Sequence, residues 1–248
     1  MRPPRLVRLG VCLALFTLLV GCTDGSNSDA TAPGSRDSIP ESPSEANESR
    51  HWTTIDPESP GELEAGRYAL PAIGSRNGPL AVVTLPDGYR SWGPFVFADE
   101  PNEPDDPLAI GLWAVSDIYR DACAGDDAAR VSTVRVLAAS LVDQGHTTTT
   151  DPRPVRLAGH RGLYLEITSP THFDYATCND AELNYWRAGK NADRWTRMPG
   201  MLDRLWILNV KGRPLMWVMA VPPSASTRQV ERMTDIVEHV RLVQPRHG

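Results

Sequence analysis

In "DRLWILNVKGRPLMWVMAVP", Asp203 to Pro222, two apolar runs flank Lys211-Gly212. A two-residue loop at that dipeptide makes a β-hairpin and sets its register, with Trp206 opposite Trp217, Ile207 opposite Met216 and Leu208 opposite Leu215. Side chains alternate across a strand, so Leu205, Ile207, Met216 and Val218 share one face, and Trp206, Leu208, Leu215 and Trp217 share the other. Both faces are apolar. A sheet with one wet face alternates apolar with polar residues, so this hairpin is expected at the centre of a sheet, covered on both sides. Pro214 has no N–H to give, which places it at a non-hydrogen-bonded or bulged position beside the turn.

Working outward, two segments offer covers. "SASTRQVERMTDIVEHVRL" puts Val230, Met233, Val237 and Val240 on one helical stripe with Ile236 beside it, and Ser226 and Gln229 stand at capping-box spacing. "TVRVLAASLVDQG" repeats Val136, Leu137, Ser140 and Leu141 at helical spacing, with Ser132 as cap and Gly145 as stop. Further strands are expected at Arg67–Leu70, Leu80–Pro86, Phe95–Ala98 and Leu108–Asp117, and two more within Arg153–Pro170, joined through Gly159-His160-Arg161-Gly162. The expected fold class is α+β, an antiparallel sheet sandwiched between two helices.

The chain has 248 residues, and its first part is of another kind. Arg2, Arg5 and Arg8 precede an uncharged apolar run from Leu9 to Val20, the pattern of a secretory signal and too short for a membrane span. Leu19-Val20-Gly21-Cys22 resembles the lipobox of bacterial lipoproteins. That resemblance implies a diacylglycerol on the Cys22 sulfur, cleavage before it, and a membrane anchor on the extracytoplasmic face. From Thr23 to Gly66 the composition is rich in Ser, Pro, Glu, Asp and Asn, with net charge −8, which predicts a disordered acidic tether. The single domain is then expected over residues 67–248, at net charge −1. A near-neutral domain behind an acidic leash excludes a phosphate-backbone binder, so no nucleic acid partner is expected.

Cys12 leaves with the signal and Cys22 takes the lipid, which leaves Cys123 and Cys178. In an oxidising compartment these two read as a disulfide, contributing about 4 kcal/mol on the chain-entropy model. The alternative is a metal site of Cys178, His172 and Asp174, for which no close Cys or His pair completes a zinc set. Asp99, Glu100, Glu103, Asp105 and Asp106 form a proline-broken acidic loop whose spacing is not that of an EF-hand.

The order of Cys123, "GLYLEIT", Cys178, "DRLWIL", the "KG" turn and the final amphipathic helix resembles a group of lipid-anchored or secreted actinobacterial proteins. The closing hairpin and helix also resemble the PsbP-like α/β sandwich. Neither resemblance implies a catalytic motif.

No G-x-S-x-G, H-E-x-x-H, S-x-x-K, phosphate loop, G-x-G-x-x-G or C-x-x-C occurs, and no cofactor or metal is implied. His146, His160 and His172, with Asp151, Asp174 and Ser169, are the pieces from which a hydrolytic site would be built. Trp186, Arg187, Arg194 and Trp195 are the candidate binding patch for an envelope protein. Tyr164 and Tyr175, with Tyr185, Trp186 and Trp195, are candidates to line a cleft for an apolar envelope ligand such as a lipid. The sequence thus leads to a lipid-anchored envelope protein that binds rather than catalyses, with carriage of an apolar ligand and hydrolysis as the alternatives.

Overall fold

The hairpin forms in the register read from its sequence, and everything else is layered on it. The computed structural model describes residues 51–98, 108–125, 127–190 and 192–245. The signal segment, Cys22, the greater part of the expected tether and the acidic loop at 99–107 lie outside the described residues.

In chain order the strands are β1 (Thr53–Thr54), β2 (Gly61–Leu63), β3 (Gly66–Pro71), β4 (Leu80–Leu85), β5 (Tyr89–Trp92), β6 (Phe95–Ala98), β7 (Ala109–Trp113), β8 (Asp117–Tyr119) and β9 (Ala128–Arg130). Helix α1 (Val134–Val142) precedes β10 (Thr148–Thr149), β11 (Arg153–Leu157), β12 (His160–Thr168), β13 (Leu183–Ala188), β14 (Ala192–Thr196), β15 (Leu202–Val210) and β16 (Arg213–Val221). Helix α2 (Thr227–Glu238) and β17 (Arg241–Val243) close the chain.

β15 and β16 pair with Trp206 opposite Trp217, Ile207 opposite Met216 and Leu208 opposite Leu215. Lys211 and Gly212 both have positive φ, 51° and 81°, the signature of a type I′ turn, and the Gly212 N–H donates to Asn209 Oδ1 at 3.0 Å. Val210 and Arg213 flank the loop, so the next pair, Asn209 with Pro214, is the non-hydrogen-bonded kind that a proline tolerates. Around this hairpin runs a nine-stranded sheet in the order β10-β12-β15-β16-β7-β6-β5-β2, with β11 also on β12.

The expected α+β sandwich is corrected by the covers: the protein is mostly β, with three sheets and two helices among the described residues. One face packs Trp206, Leu208, Trp217 and Met219 against α2 and a small sheet, β1-β3-β4-β17. The other packs Leu205, Ile207, Met216 and Val218 against α1 and a second small sheet, β14-β13-β8-β9. The reason is width. Strands spaced about 4.8 Å apart make this sheet roughly 40 Å across, and a helix about 10 Å thick hides only a fraction of it.

Local details follow the sequence with shifts of a residue. Ser226 and Gln229 form the capping box of α2, which buries Met233, Ile236 and Val237. The cap of α1 is Thr133, not Ser132, and the buried stripe is Leu137, Ala138 and Leu141, leaving Val136 exposed. The β11–β12 turn is Ala158-Gly159, both at positive φ, so His160 is the first residue of β12 opposite Leu157 and not part of the loop. The fold also reaches into the segment assigned to the tether: β1 pairs with β3, Ile55 is buried, and β2 pairs with β5. Cys123 and Cys178 are joined as a disulfide, tying the loop after β8 to the short turn at Tyr175–Thr177. No helix among the described residues is long and apolar enough to cross a membrane.

Gly162 on β12 lies tight against β15: an added Cβ would stand 2.0 Å from the Ile207 carbonyl oxygen and 3.0 Å from Leu208 Cα, both backbone atoms. Gly162→Ala is expected to cost more than about 3 kcal/mol in urea unfolding, whereas Gly61→Ala, which meets nothing within 4 Å, stays within about 0.5 kcal/mol of the parent.

Candidate functional site

On the second face of the large sheet the cover stops short of the edge. Trp113 of β7 still packs edge-on against Trp186 of β13, centroids 5.7 Å apart; beyond it Phe95 is half-buried, Phe97 is buried and Trp92 is exposed, and all three line a groove. These strands alternate, so Val96, Ile110 and Leu112 fill the core on the first face while Trp92, Phe95, Phe97, Gly111 and Trp113 turn to the second. The far wall is the end of β14 and the segment leading to β15, with Trp195, Met198, Pro199 and Met201. Between floor and wall lies a half-open groove of about 690 Å³.

The floor is a continuous aromatic row. Ring centroids step from Trp92 to Phe97 at 6.4 Å, to Phe95 at 6.1 Å, to Trp113 at 5.7 Å, and on to buried Trp186. Gly111 makes the row possible: a Cβ there would stand 2.8 Å from Phe95 Cδ1, so only glycine lets that ring lie flat over β7. Trp92 and Trp195, one on each rim, are 67 % and 47 % exposed, the largest apolar side chains on the surface among the described residues.

The polar groups of the wall are already engaged. Arg194 grips fully buried Asp203 with two hydrogen bonds, Nε to Oδ2 at 2.8 Å and Nη2 to Oδ1 at 2.6 Å, and Nη1 donates to the Trp195 carbonyl at 2.6 Å. Burial alone would lower the Arg194 pKa, but the Asp203 charge and hydrogen bonds hold it above the ordinary arginine value. Asp193 Oδ1 accepts from Arg187 Nε at 3.0 Å and from the Tyr119 hydroxyl at 2.8 Å. Burial, then the hydrogen bond to Asp193, push the Tyr119 pKa up to about 12. Thr196 Oγ1 accepts the Met198 N–H, and Arg197 lies over the Trp195 ring at 5.4 Å with Nη2 3.3 Å from Glu182.

The candidates read from the sequence scatter over this geometry. Trp195 is on the rim and Arg194 lines the groove with its guanidinium spent on Asp203; Trp186 is fully buried and belongs to the core, and Arg187 backs the wall through Asp193. Tyr164 is on the opposite face of the sheet, edge-on to Trp206 and under Arg153, its hydroxyl donating to Glu166. Tyr175 packs on Phe173 near the disulfide.

The hydrolytic pieces do not assemble into a nucleophile and base. His146 stands 3.4 Å from Asp121 in a polar hollow beside Cys123, while the Ser169 hydroxyl is held between the Met198 carbonyl and the Met201 N–H. Asp174 caps its own turn at the Ala176 N–H, and His172 and Asp151 are exposed. Cys178, the proposed metal ligand, is committed to the disulfide.

The sequence reading missed Trp92, Phe95, Phe97 and Trp113. For three of them the signal is the hairpin "YRSWGPFVFA", residues 89–98, where Trp92 stands just before Gly93-Pro94 and Phe95 and Phe97 alternate just after it.

No family model and no curated protein matches the chain. LpqN of Mycobacterium tuberculosis, a solved structure described as involved in cell envelope biogenesis, is similar over 75 % of this chain and 91 % of its own at 12 % identity, with a TM-score of 0.37. The chemistry of the groove itself decides what it can hold.

Asp203→Asn leaves Arg194 buried against a neutral partner and is expected to lower stability by about 3–5 kcal/mol, whereas the paired change Arg194→Met with Asp203→Leu recovers most of the loss, both read by chemical denaturation. Tyr119 favours its neutral form more in the folded state than in the unfolded. Its contribution is therefore fully present below pH 10 and lost as pH rises from about 10 to about 12; Tyr119→Phe is expected to flatten that part of the stability profile.

Proposed function

We propose that the chain is a lipid-anchored protein of the cell envelope whose folded part binds an apolar envelope ligand in the aromatic groove, without catalysing its conversion. One observation carries the ligand class. The floor is aromatic and aliphatic, while Asp193, Arg194, Thr196 and Arg197 on the wall already have partners within the protein. A sugar or a charged metabolite needs polar groups free to exchange for its water, and a site that offers few of them pays to desolvate such a ligand. An acyl chain has no such requirement and gains from every part of the floor it covers.

The size agrees, since pockets that take a small molecule run from about 300 to 1,000 Å³ and this groove holds about 690 Å³. Exposed Trp92 and Trp195 on facing rims also favour an occupant laid between them over an isolated patch of surface. The lipid anchor rests on the lipobox resemblance at Cys22 and on the acidic segment that follows it.

A fluorescent fatty-acyl probe is expected to bind the protein and to be displaced by unlabelled lipid extract. Trp92→Ala and Trp195→Ala should each weaken the probe about tenfold while leaving the unfolding midpoint within the range usual for surface changes. Unaltered probe affinity in both variants would sink the groove as the site. Separately, Cys22→Ala is expected to move the protein from the membrane fraction to the soluble one; retention in the membrane fraction would refute the anchor.

A further inference from the structure

The groove opens between two exposed tryptophans that stand apart from the rest of the surface. Trp92 is 67 % exposed and Trp195 47 %. The other exposed large apolar side chains among the described residues, Val136 and Val142, sit on α1 and do not line the groove. Single apolar residues scattered over a surface need no explanation, but two indoles facing each other across one mouth do. Trp92 ends β5 just before the Gly93-Pro94 turn, so the β5–β6 hairpin carries it at its tip, and Trp195 stands on β14, the outer strand of its sheet. The wall beside Trp195 balances its charges: Arg187 pairs with Asp193, Arg194 with Asp203 and Arg197 with Glu182.

We propose that the rim formed by Trp92 and Trp195 is a membrane-docking surface: it seats in the boundary between headgroups and acyl chains of a lipid leaflet, and the apolar ligand enters the groove from there. This rests on the reading of the groove as an apolar ligand site and adds the source that fills it. Indole suits that boundary because its ring is apolar while its N–H reaches water, which is why tryptophan gathers at membrane interfaces. A protein partner suits the rim less well. Stable protein interfaces bury roughly 1,000 Å² or more around a packed apolar centre, and the centre of this patch is the groove, which a flat partner would bridge without filling. A lipid also loses its apolar surroundings on crossing water, so a mouth seated on the leaflet spares each methylene that exposure.

The path of the chain agrees. The Pro57 carbonyl oxygen lies 3.8 Å from where a Cβ of Gly93 would stand, and Gly61 of β2 pairs with Ser91 of β5. The start of the described chain therefore runs beside the Trp92 rim, the side on which a tether from Cys22 would join the fold. Because each cation of the wall already has its carboxylate, the docking is carried by the two rings and needs no anionic lipid.

The test uses the chain from Thr23 onward, which lacks the apolar leading segment and Cys22 but no described residue. It is floated with phosphatidylcholine vesicles, with and without phosphatidylglycerol. Binding to phosphatidylcholine alone is expected, and phosphatidylglycerol should not strengthen it. Trp92→Ala and Trp195→Ala should each lower the partition coefficient about tenfold, while Val136→Ala leaves it unchanged. Lipid brominated near the headgroup should quench the tryptophan emission of the parent and not that of the double variant. If both tryptophan variants bind vesicles as the parent does, the docking surface is overturned. Binding that requires phosphatidylglycerol and vanishes in salt places the contact elsewhere and also sinks it. If vesicles are not bound and Trp92→Ala turns a dimer into a monomer, the rim belongs to a second copy of the chain. A parent that binds the fluorescent fatty-acyl probe but no vesicle removes the leaflet as the source and leaves the groove standing. If neither probe nor vesicle is bound, this inference falls together with the groove itself.

Discussion

The β15–β16 hairpin is apolar on both faces, and a β-strand in water cannot stay that way. Leu205, Ile207, Met216 and Val218 on one side and Trp206, Leu208, Leu215 and Trp217 on the other must each be hidden, so the chain has to build two cores and not one. The first is closed by α2 with a small sheet drawn from both ends of the chain, β1, β3 and β4 with β17. The second is closed by α1 with β8, β9, β13 and β14, and the disulfide between Cys123 and Cys178 lies in that second cover. The terminal strand β17, which pairs with β4 directly after α2, locks the first cover in place.

The groove is what the same constraint leaves behind. Alternation along β5, β6 and β7 gives each strand a first-face residue for the core, Tyr89, Val96 and Ile110 among them, and a second-face residue of equal apolarity. On the first face the cover continues over these residues. On the second the aromatic row runs on from the Trp113–Trp186 contact through half-buried Phe95 and buried Phe97 to exposed Trp92. An apolar strip of this kind is a liability on a free surface, and the wall carrying Trp195 and Met198 narrows it into a cleft. That wall is held by the buried Arg194–Asp203 pair, which ties β14 to β15 across the groove's back. Because a one-sided buried charge is costly, the pair fixes the spacing of the wall more firmly than apolar packing alone would.

Local chemistry made the middle of the fold legible in the sequence. The hairpin register follows from Lys211-Gly212 and the period-two pattern, and α2 follows from its capping box and stripe. The disulfide follows from counting the thiols left once the leading segment is read as a secretory signal. What escaped was everything whose structure depends on a distant partner. Strands of two or three residues, such as β1, β2, β8 and β9, carry too little pattern to be seen alone, and they exist because a neighbouring strand offers its edge. The β13–β14 pair was passed over for another reason: Tyr185 and Trp186 look like surface aromatics until β8 and the large sheet enclose them. Thr53 to Leu63 look like tether by composition, and only the pairings with β3 and β5 bring them into the fold.

The candidate site shows the same division between local and distant information. Trp195 was recognisable as a large apolar residue among polar ones, but Phe95, Phe97 and Trp113 read as ordinary strand residues because their alternation is what any buried sheet requires, and Trp92 lay outside every expected strand. Nothing in the residues themselves distinguishes a covered second face from an open one; the difference lies in where the small sheet ends. Gly111 is the residue that ties the two together. In a strand interior glycine weakens the sheet, and here the loss is offset by the close seat it gives Phe95 over β7. A β-branched residue at that position would make a better strand and would displace the aromatic ring into the cleft. The glycine that weakens β7 is therefore the one that keeps the groove open.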